Sequence, residues 1–329
     1  MLRLGICKLD QSGPGILSWL RRNHSYQLLR TSSPPSPSEI AVFNAIMYDL
    51  RLTTGIFRTT LPGRLKDLDR WVNGFLLQHF DVNAPLRVED WAASDCITSA
   101  EWFKSLEFCF PQVRMAASDL DLYLIEGRLP AGDAYIFESS GAALQYIRPP
   151  FVLDLSRPQS PLLIVNRLLR ARAIARLEQL RAQGKVDLAS LDFHPGVEAI
   201  ERAPLVFRRI ALVHPAAQAL AHSASSFSIE RHSVFEVSAN DPQIIRTMNI
   251  FYPGYFDTER LAQGITSVWK SLAPQGIWIV GRNVMDPNPD GGKPLTQGSI
   301  LRKTSAGFEV LERFEAKSEV EDLALSLRM

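Results

Sequence analysis

The stretch that most constrains the fold of this chain is residues 86–124. An apolar-flanked run at 86–91 predicts a strand, a helical pattern follows at 97–108, and a second run at 113–117 predicts another strand. This second strand leads into Asp119. The order strand, loop, helix, strand and acid is typical of a parallel α/β unit.

The loop after the first of these strands consists of small residues, Ala92, Ala93 and Ser94. In open parallel sheets, ligands bind beyond the carboxyl ends of the strands, where a small-residue loop lets the backbone approach and a helix N-terminus supplies N–H groups. An acid at the end of the next strand can accept hydrogen bonds from both ribose hydroxyls. The spacing therefore predicts a nucleoside ligand with Asp119 on its ribose. The alternative is an ordinary strand-helix-strand crossover whose acids are solvated.

Residues 90–96, DWAASDC, resemble the first motif of class I S-adenosylmethionine-dependent methyltransferases, in which an acid and an apolar residue precede Gly-x-Gly-x-Gly. Ala92, Ser94 and Cys96 stand where the glycines would be. Residues 117–121, ASDLD, are similar to the chemotaxis-receptor branch of this superfamily. A β-carbon on a left-handed residue costs about 1–2 kcal/mol. We therefore expect either another path for the loop or cofactor binding that is weak or lost.

The segment 242–283 carries the second part of the resemblance. A strand at 244–250, a helix at 257–272 and an apolar strand at 277–280 follow one another. This is the order of the fourth strand, its helix and the fifth strand in class I methyltransferases. The intervening turn at 272–276, LAPQG, resembles the Leu-x-Pro-Gly-Gly turn of the family.

The C-terminal region completes the predicted sheet. The MNIF sequence at 248–251 and the Tyr-Phe pair at 255–256 resemble a further signature of the chemotaxis-receptor branch. Two alternating runs, 299–303 and 308–315, predict a hairpin. The resemblance implies an α/β fold with a doubly wound seven-stranded sheet and an antiparallel C-terminal hairpin, which is the Rossmann-like methyltransferase fold.

Two domains are expected. Residues 1–80 are predicted as an N-terminal helical extension, which in the resembled superfamily often forms a lid over the substrate. Residues 81–329 are predicted as the methyltransferase-like domain, and an insertion at about 127–200 matches no part of the family. The acceptor specificity is expected to lie in the lid and the insertion.

The resemblance also implies a set of site residues. The cofactor-binding residues that it implies are Asp90, Ala92, Ala93, Ser94, Asp119, His232 and Ser233. The first four lie near the methionine part of S-adenosylmethionine and Asp119 lies on the ribose. His232 and Ser233 stand where the family often has an acid that binds the adenine amino group. The implied catalytic residues, which face the transferred methyl group and its acceptor, are Asn249 and Tyr252.

Composition restricts the compartment and the partners. A formal charge of +1 gives no reason to expect nucleic acid or an anionic membrane as partner. The three cysteines form no CxxC pair and the six histidines lack metal-ligand spacing, so we expect no metal and a reducing compartment. The N-terminus does not resemble a signal peptide, and no segment approaches the roughly 18 apolar residues of a spanning helix. We therefore expect a cytoplasmic protein.

A predicted helix at 162–182 is strongly basic. Six arginines lie between positions 157 and 181, against the single acid Glu178. A basic amphipathic helix can contact a membrane surface or an acidic partner. The alternative is a solvated outer face of the fold.

Three functions are compatible with these patterns. The first is a methyltransferase that uses S-adenosylmethionine and acts on an unidentified small-molecule or protein acceptor by in-line transfer, a reaction that requires no particular nucleophile or metal. The second is a methyltransferase-like binding or scaffold protein without catalysis, which the missing glycines and adenine acid would explain. A nicotinamide-dependent dehydrogenase fits less well, because the loop lacks glycine and the chain ends in a hairpin. An inserted antiparallel seventh strand would exclude it.

Overall fold

The structure is a computed structural model that describes most of the chain. The described residues are 3–6, 21–53, 55–56, 58, 60–149, 151–156, 164–194, 197–284 and 295–328. Their strands are β1 (Arg3–Ile6), β2 (Arg21–His24), β3 (Leu86–Trp91), β4 (Val113–Asp119), β5 (Tyr123–Arg128), β6 (Ala134–Phe137), β7 (Ala143–Arg148), β8 (Phe151–Asp154), β9 (Ala199–Arg202), β10 (Leu205–Ala211), β11 (Phe227–Arg231), β12 (Ile244–Met248), β13 (Ile277–Val284), β14 (Leu295–Thr304) and β15 (Gly307–Phe314). Their α-helices are α1 (Pro37–Asp49), α2 (Lys66–His79), α3 (Ile97–Cys109), α4 (Ile164–Ala182), α5 (Pro215–Ser223), α6 (Thr258–Ser271) and α7 (Glu321–Ser326).

The chain forms two compact units whose boundaries differ from the predicted domains. The first unit contains Met1–Thr59 and Asp121–Leu212, and the second contains Thr60–Leu120 and Val213–Met329. Backbone pairing explains the difference, because β1 pairs with β8. The N-terminal strands thus share a sheet with the segment that the sequence predicted as an insertion, and α2 belongs to the other unit.

The first unit is built on an eight-stranded sheet in the order β2-β1-β8-β7-β6-β5-β10-β9. β1 and β2 pair in parallel, and the other neighbours pair antiparallel. Successive side chains point to opposite faces of a sheet, and both faces carry an apolar cluster. One cluster includes Phe43 and Met47 of α1, and the other includes Ala173 and Leu177 of α4.

α4 is the basic helix, and its predicted start at residue 162 lies outside the described residues. Several of its arginines bond within the first unit. Arg170 donates to a backbone carbonyl at 2.8 Å, Arg181 donates to another at 2.8 Å, and Arg176 pairs with Asp133 at 3.2 Å. These contacts favour the interpretation of α4 as an outer layer of the fold.

The second unit contains a seven-stranded sheet in the order β11-β4-β3-β12-β13-β14-β15. The strands from β11 to β13 run parallel, and β14 and β15 form an antiparallel hairpin at the edge. This confirms the predicted fold class. The direction of winding reverses between β3 and β12, and ligands of doubly wound sheets bind outside the carboxyl ends of the strands at such a point.

The hairpin bears on the dehydrogenase alternative. β15 lies at the edge beside β14 and is not inserted between β13 and β14. The topological criterion that would have excluded a dehydrogenase is therefore not met. The loop without glycine and the antiparallel hairpin, which disfavour it, are both present.

Helices α3 and α6 make the crossovers on the two sides of this reversal. Because right-handed crossovers that step in opposite directions put their helices on opposite faces, α3 and α6 cover different faces of the sheet. Trp102 and Phe103 of α3 and Ile265 and Val268 of α6 are fully buried. The packing fixes where the loops after β3 and β12 leave the sheet.

Candidate functional site

The loop between β3 and α3 has an alternating backbone conformation. Ala92, Ser94 and Cys96 have φ angles of 55°, 58° and 62°, in the left-handed region that favours glycine. These are the three positions at which the resembled motif carries glycine. The loop therefore adopts the left-handed conformation at these positions with three residues that bear β-carbons.

Hydrogen bonds to neighbouring segments hold this loop. The N–H of Ala93 donates to the carbonyl of Ser118 at 2.9 Å, and the N–H of His214 donates to the carbonyl of Asp95 at 2.8 Å. The Asp95 side chain also accepts the N–H of Ile97, at the start of α3, at 3.0 Å. Each such bond contributes a net ~0.5–1.5 kcal/mol. The bonds thus offset left-handed strain of about 1–2 kcal/mol per residue.

Asp119 closes the loop from the end of β4. Its Oδ2 accepts the N–H of Ser94 at 2.8 Å, and its side chain is buried. Its carbonyl accepts the N–H of His232 at 3.2 Å. Three predicted cofactor-binding residues from separate parts of the sequence therefore meet at the carboxyl edge of the sheet.

The carboxylate of Asp90 lies in the core, where Arg246 of β12 binds both its oxygens, at 3.0 Å and 2.5 Å. Ser99, in the first turn of α3, also donates to it at 2.6 Å. Arg246 donates in addition to Asp69 of α2 at 2.6 Å, and its guanidinium lies 4.1 Å from the ring centroid of Trp102. We name Asp69, Asp90 and Arg246 the ion triad.

The ion triad places two carboxylates against one guanidinium in the interior. Burial raises the pKa of Asp69 to about 7, against the lowering effect of Arg246. Burial lowers the pKa of Arg246, but the two carboxylates outweigh it and the net direction is upward. Sequence reasoning missed Arg246. The available signal was an arginine inside an apolar strand, since a buried charge requires a partner.

His232 lies beyond β11 and packs on Trp91, with ring centroids 4.4 Å apart. Glu89 accepts the indole N–H of Trp91 at 2.6 Å and so fixes the ring. Burial lowers the pKa of His232 against the opposing effect of Glu89, so the imidazole is neutral at pH 7. Its Nε2 is buried and has no hydrogen-bond partner among the described residues. Ser233 accepts the N–H of Phe235 at 3.3 Å and shapes the turn that follows.

The two predicted catalytic residues contact β13. The N–H of Asn249, whose φ is 63°, donates to the carbonyl of Gly281 at 2.8 Å. Its amide group pairs with Asn283 in both directions, at 3.1 Å and 2.7 Å. The ring centroid of Tyr252 lies 3.8 Å from the guanidinium of Arg282. Both side chains are therefore held by the fold.

His214 begins α5 and caps it. Its Nδ1 accepts the N–H of Ala216 at 3.1 Å, and burial lowers its pKa. The imidazole is therefore neutral and acts as a helix cap. Through the bond from its own N–H to Asp95, it also supports the loop after β3.

Searches against protein-family models and against curated proteins give no match. Among solved structures, the chain is similar to a sugar N-methyltransferase from Streptoalloteichus sp ATCC 53650, at 9% identity and a TM-score of 0.32, over 77% of this chain and 74% of that one. It is also similar to an O-methyltransferase family protein from Burkholderia thailandensis, at 10% identity and a TM-score of 0.29, over 77% and 45%. A third is the mitomycin 7-O-methyltransferase, at 12% identity and a TM-score of 0.29, over 81% and 45%.

The similar solved structures are methyltransferases. The chain spans less than half the length of the Burkholderia and mitomycin proteins. Within its described part, no helix is long and apolar enough to cross a bilayer, and no three His, Cys, Asp or Glu side chains gather where they could hold a metal ion.

Proposed function

We propose that this chain is an S-adenosylmethionine-dependent methyltransferase whose cofactor binds at the carboxyl ends of β3, β4 and β11. One observation carries the proposal. The loop after β3 has a left-handed backbone at three alternating positions, and Ser94 ties it to the acid at the end of the next strand. A ligand with a ribose and a charged amino-acid group suits such a loop and acid.

The chemistry of the site fits the cofactor in two further respects. The carboxylate of Asp119 has several acceptor positions, so it can bind a ribose hydroxyl in addition to the N–H of Ser94. The neutral imidazole of His232 has a buried Nε2 without a partner among the described residues, which can pair with the polar edge of a purine. Ser233 would shape the turn beside that edge.

Asp90 supports the site through bonds in the core. Its carboxylate is bound by Arg246 and Ser99, so it fixes the end of β3 relative to β12 and α3. The backbone of Ala92, Ala93 and Ser94 then supplies the groups nearest the methionine part of the cofactor.

When bound, S-adenosylmethionine supplies an activated methyl group. The residues of this chain contribute orientation and exclusion of water, and orientation can supply ~7–11 kcal/mol. Asn249 and Tyr252 follow the end of β12, and in this proposal they face the transferred methyl group and its acceptor. Asn249 contacts Asn283 and Tyr252 contacts Arg282, so both side chains lie against β13. The acceptor is a small molecule or a protein.

A second candidate function is that of a methyltransferase-like binding or scaffold protein without catalysis. The β-carbons at Ala92, Ser94 and Cys96 favour it, because they fill space that glycine would leave for a ligand. The amide of Asn249 also favours it, because its carbonyl oxygen already accepts the backbone N–H of Asn283.

Calorimetric titration with S-adenosylmethionine and S-adenosylhomocysteine separates the two candidates. We expect a micromolar dissociation constant for the wild-type protein. Asp119→Ala should weaken it about 10- to 100-fold, as expected for lost hydrogen bonds to a charged group. Asp322→Ala, a change of an exposed acid on α7, should leave it unchanged.

Circular dichroism of each variant establishes that the fold is intact. Absence of binding at millimolar ligand by folded wild-type protein would reject the methyltransferase and favour the scaffold. Binding of equal strength in Asp119→Ala would reject the proposed place of the ribose.

A further inference from the structure

A groove of about 880 Å³ lies between α2 and α3 on the second unit. Its shape is fixed by bonds between the two helices. Asn73 donates to Ser105 at 3.0 Å and accepts the indole N–H of Trp102 at 3.0 Å. These bonds hold α2 and α3 together along the groove.

The wall of the groove exposes large apolar side chains. Phe108 is 90% exposed and Leu77 is 46% exposed. Full burial of such a side chain contributes about 1.5–3 kcal/mol. Two of them in one groove are sufficient for a small hydrophobic contact with another molecule.

Gly74 lies inside α2 and lines the same groove. A glycine in a helix interior costs about 1 kcal/mol relative to alanine. A β-carbon at Gly74 would meet no atom of the described chain within 4 Å, so packing within the chain gives no reason for glycine. A small residue on a helix surface lets the backbone of a second helix approach closely.

The charges at the groove are mainly positive. Lys66, Arg70 and Lys104 line it, and of these Arg70 pairs with Asp67 at 3.4 Å. Of its acids, Glu101 accepts the N–H of Gly63 with both oxygens, at 2.9 Å and 2.8 Å, and Asp69 belongs to the ion triad. In the part of the chain that the structure describes, no carboxylate pairs with Lys66 or Lys104. An occupant with negative charge on its flanks would complement this groove.

We propose that the groove between α2 and α3 binds an acidic amphipathic helix of a partner protein. Its apolar stripe would lie over Gly74 between Leu77 and Phe108, and its acids would face Lys66 and Lys104. Helix-in-groove recognition of this kind uses anchors at i, i+3 or i+4, and i+7. Since α2 has 14 residues, it matches a partner helix of about four turns. The groove shares no lining residue with the proposed cofactor site, and Asp69 connects the two through its bond to Arg246 of the ion triad.

A pair of synthetic peptides tests the proposal by fluorescence anisotropy with the full-length protein. Both are labelled helices of about four turns with leucines at the anchor spacing. One has glutamates on its flanks, and the other has lysines at the same positions. We expect micromolar binding of the acidic peptide and at least about tenfold weaker binding of the basic one.

Variants locate the binding surface. The double variant Lys66→Glu with Lys104→Glu should bind the basic peptide more tightly than the acidic one. The variant Gly74→Leu should bind the acidic peptide about tenfold or more weakly than wild type. Lys270→Glu, an equivalent change on α6, should have no effect. Equal binding of both peptides, or an acidic peptide that binds Gly74→Leu as well as wild type, would overturn the proposal.

Sedimentation velocity tests the competing occupant, a second copy of the chain. We expect the same sedimentation coefficient for wild type and Phe108→Glu. A wild-type dimer that Phe108→Glu dissociates would make the groove a self-association surface and overturn the proposal.

Discussion

The backbone N–H of Ser94 donates to Oδ2 of Asp119 over 2.8 Å, so this bond joins the loop after β3 to the end of β4. Asp119→Asn retains an oxygen that can accept this bond but removes the charge. Asp119→Ala removes both and leaves a part-buried N–H without its acceptor, which costs about 1–3 kcal/mol. We therefore expect Asp119→Ala to lower the free energy of unfolding by this amount and Asp119→Asn to lower it less.

Urea unfolding followed by tryptophan fluorescence measures this difference in the relevant unit. The tryptophans of the second unit are Trp71, Trp91, Trp102, Trp269 and Trp278. An Asp119→Ala variant as stable as wild type would contradict the stabilising role of the bond to Ser94.

Ala92 and Ala93 are adjacent alanines with opposite expected responses to glycine. Ala92 has a φ of 55°, so Ala92→Gly relieves left-handed strain of about 1–2 kcal/mol. This gain exceeds the ~0.5–1 kcal/mol that the flexibility of glycine costs. Ala93 has no left-handed strain to relieve, so Ala93→Gly should lower the free energy of unfolding by about 0.5–1 kcal/mol. Urea denaturation of both variants measures the two free energies of unfolding. If both changed in the same direction, the left-handed conformation of Ala92 alone would be contradicted.

Asp69 predicts a pH dependence of stability. Burial raises the pKa of Asp69 from 3.8 to about 7 in the folded protein. The folded state therefore retains a proton that the unfolded state releases, so this stabilisation is complete below about pH 3.8 and is lost as the pH rises through about 7. Asp69→Asn stays neutral and should lack this part of the slope.

The comparison is made by urea unfolding at pH 5 and pH 8. The free energy of unfolding of wild type should fall relative to Asp69→Asn by about 2–3 kcal/mol over this interval, at 1.36 kcal/mol per pKa unit. The side chain of Asp67 is 81% exposed, so Asp67→Asn serves as the control and should follow the wild-type profile. Parallel profiles for wild type and Asp69→Asn would show that Asp69 is ionised throughout.

Gly74 and Gly264 are helical glycines in different surroundings. A β-carbon at Gly74 has open space, so Gly74→Ala should raise the free energy of unfolding by about 1 kcal/mol. A β-carbon at Gly264 in α6 would lie 2.5 Å from a ring carbon of Phe251, so Gly264→Ala should lower it. Thermal unfolding of the two variants compares them directly. A destabilised Gly74→Ala would mean that the groove is occupied from within the chain.

The strands and helices of the second unit were largely predictable because their signals are local. The apolar runs and helical patterns at 86–117 and 244–280 coincide with β3, α3, β4, β12, α6 and β13. Side-chain periodicity and turn residues act over a few positions, so they are visible in the sequence. The division of the chain into two compact units was not predictable, because the pairing of β1 with β8 joins residues more than a hundred positions apart.

The candidate site shows the same limit at the level of single residues. The sequence by itself determined which residues stand at the motif positions, including the small residues 92–94 and the acid Asp119. Only the tertiary structure decided that the loop is left-handed at Ala92, Ser94 and Cys96, and that Asp90 is turned inward to Arg246. The reason is physical. The loop donates hydrogen bonds to Ser118 and Asp119 and accepts one from His214, and Arg246 of β12 supplies a buried counter-charge to Asp90. All of these partners are distant in sequence from the residues that they hold.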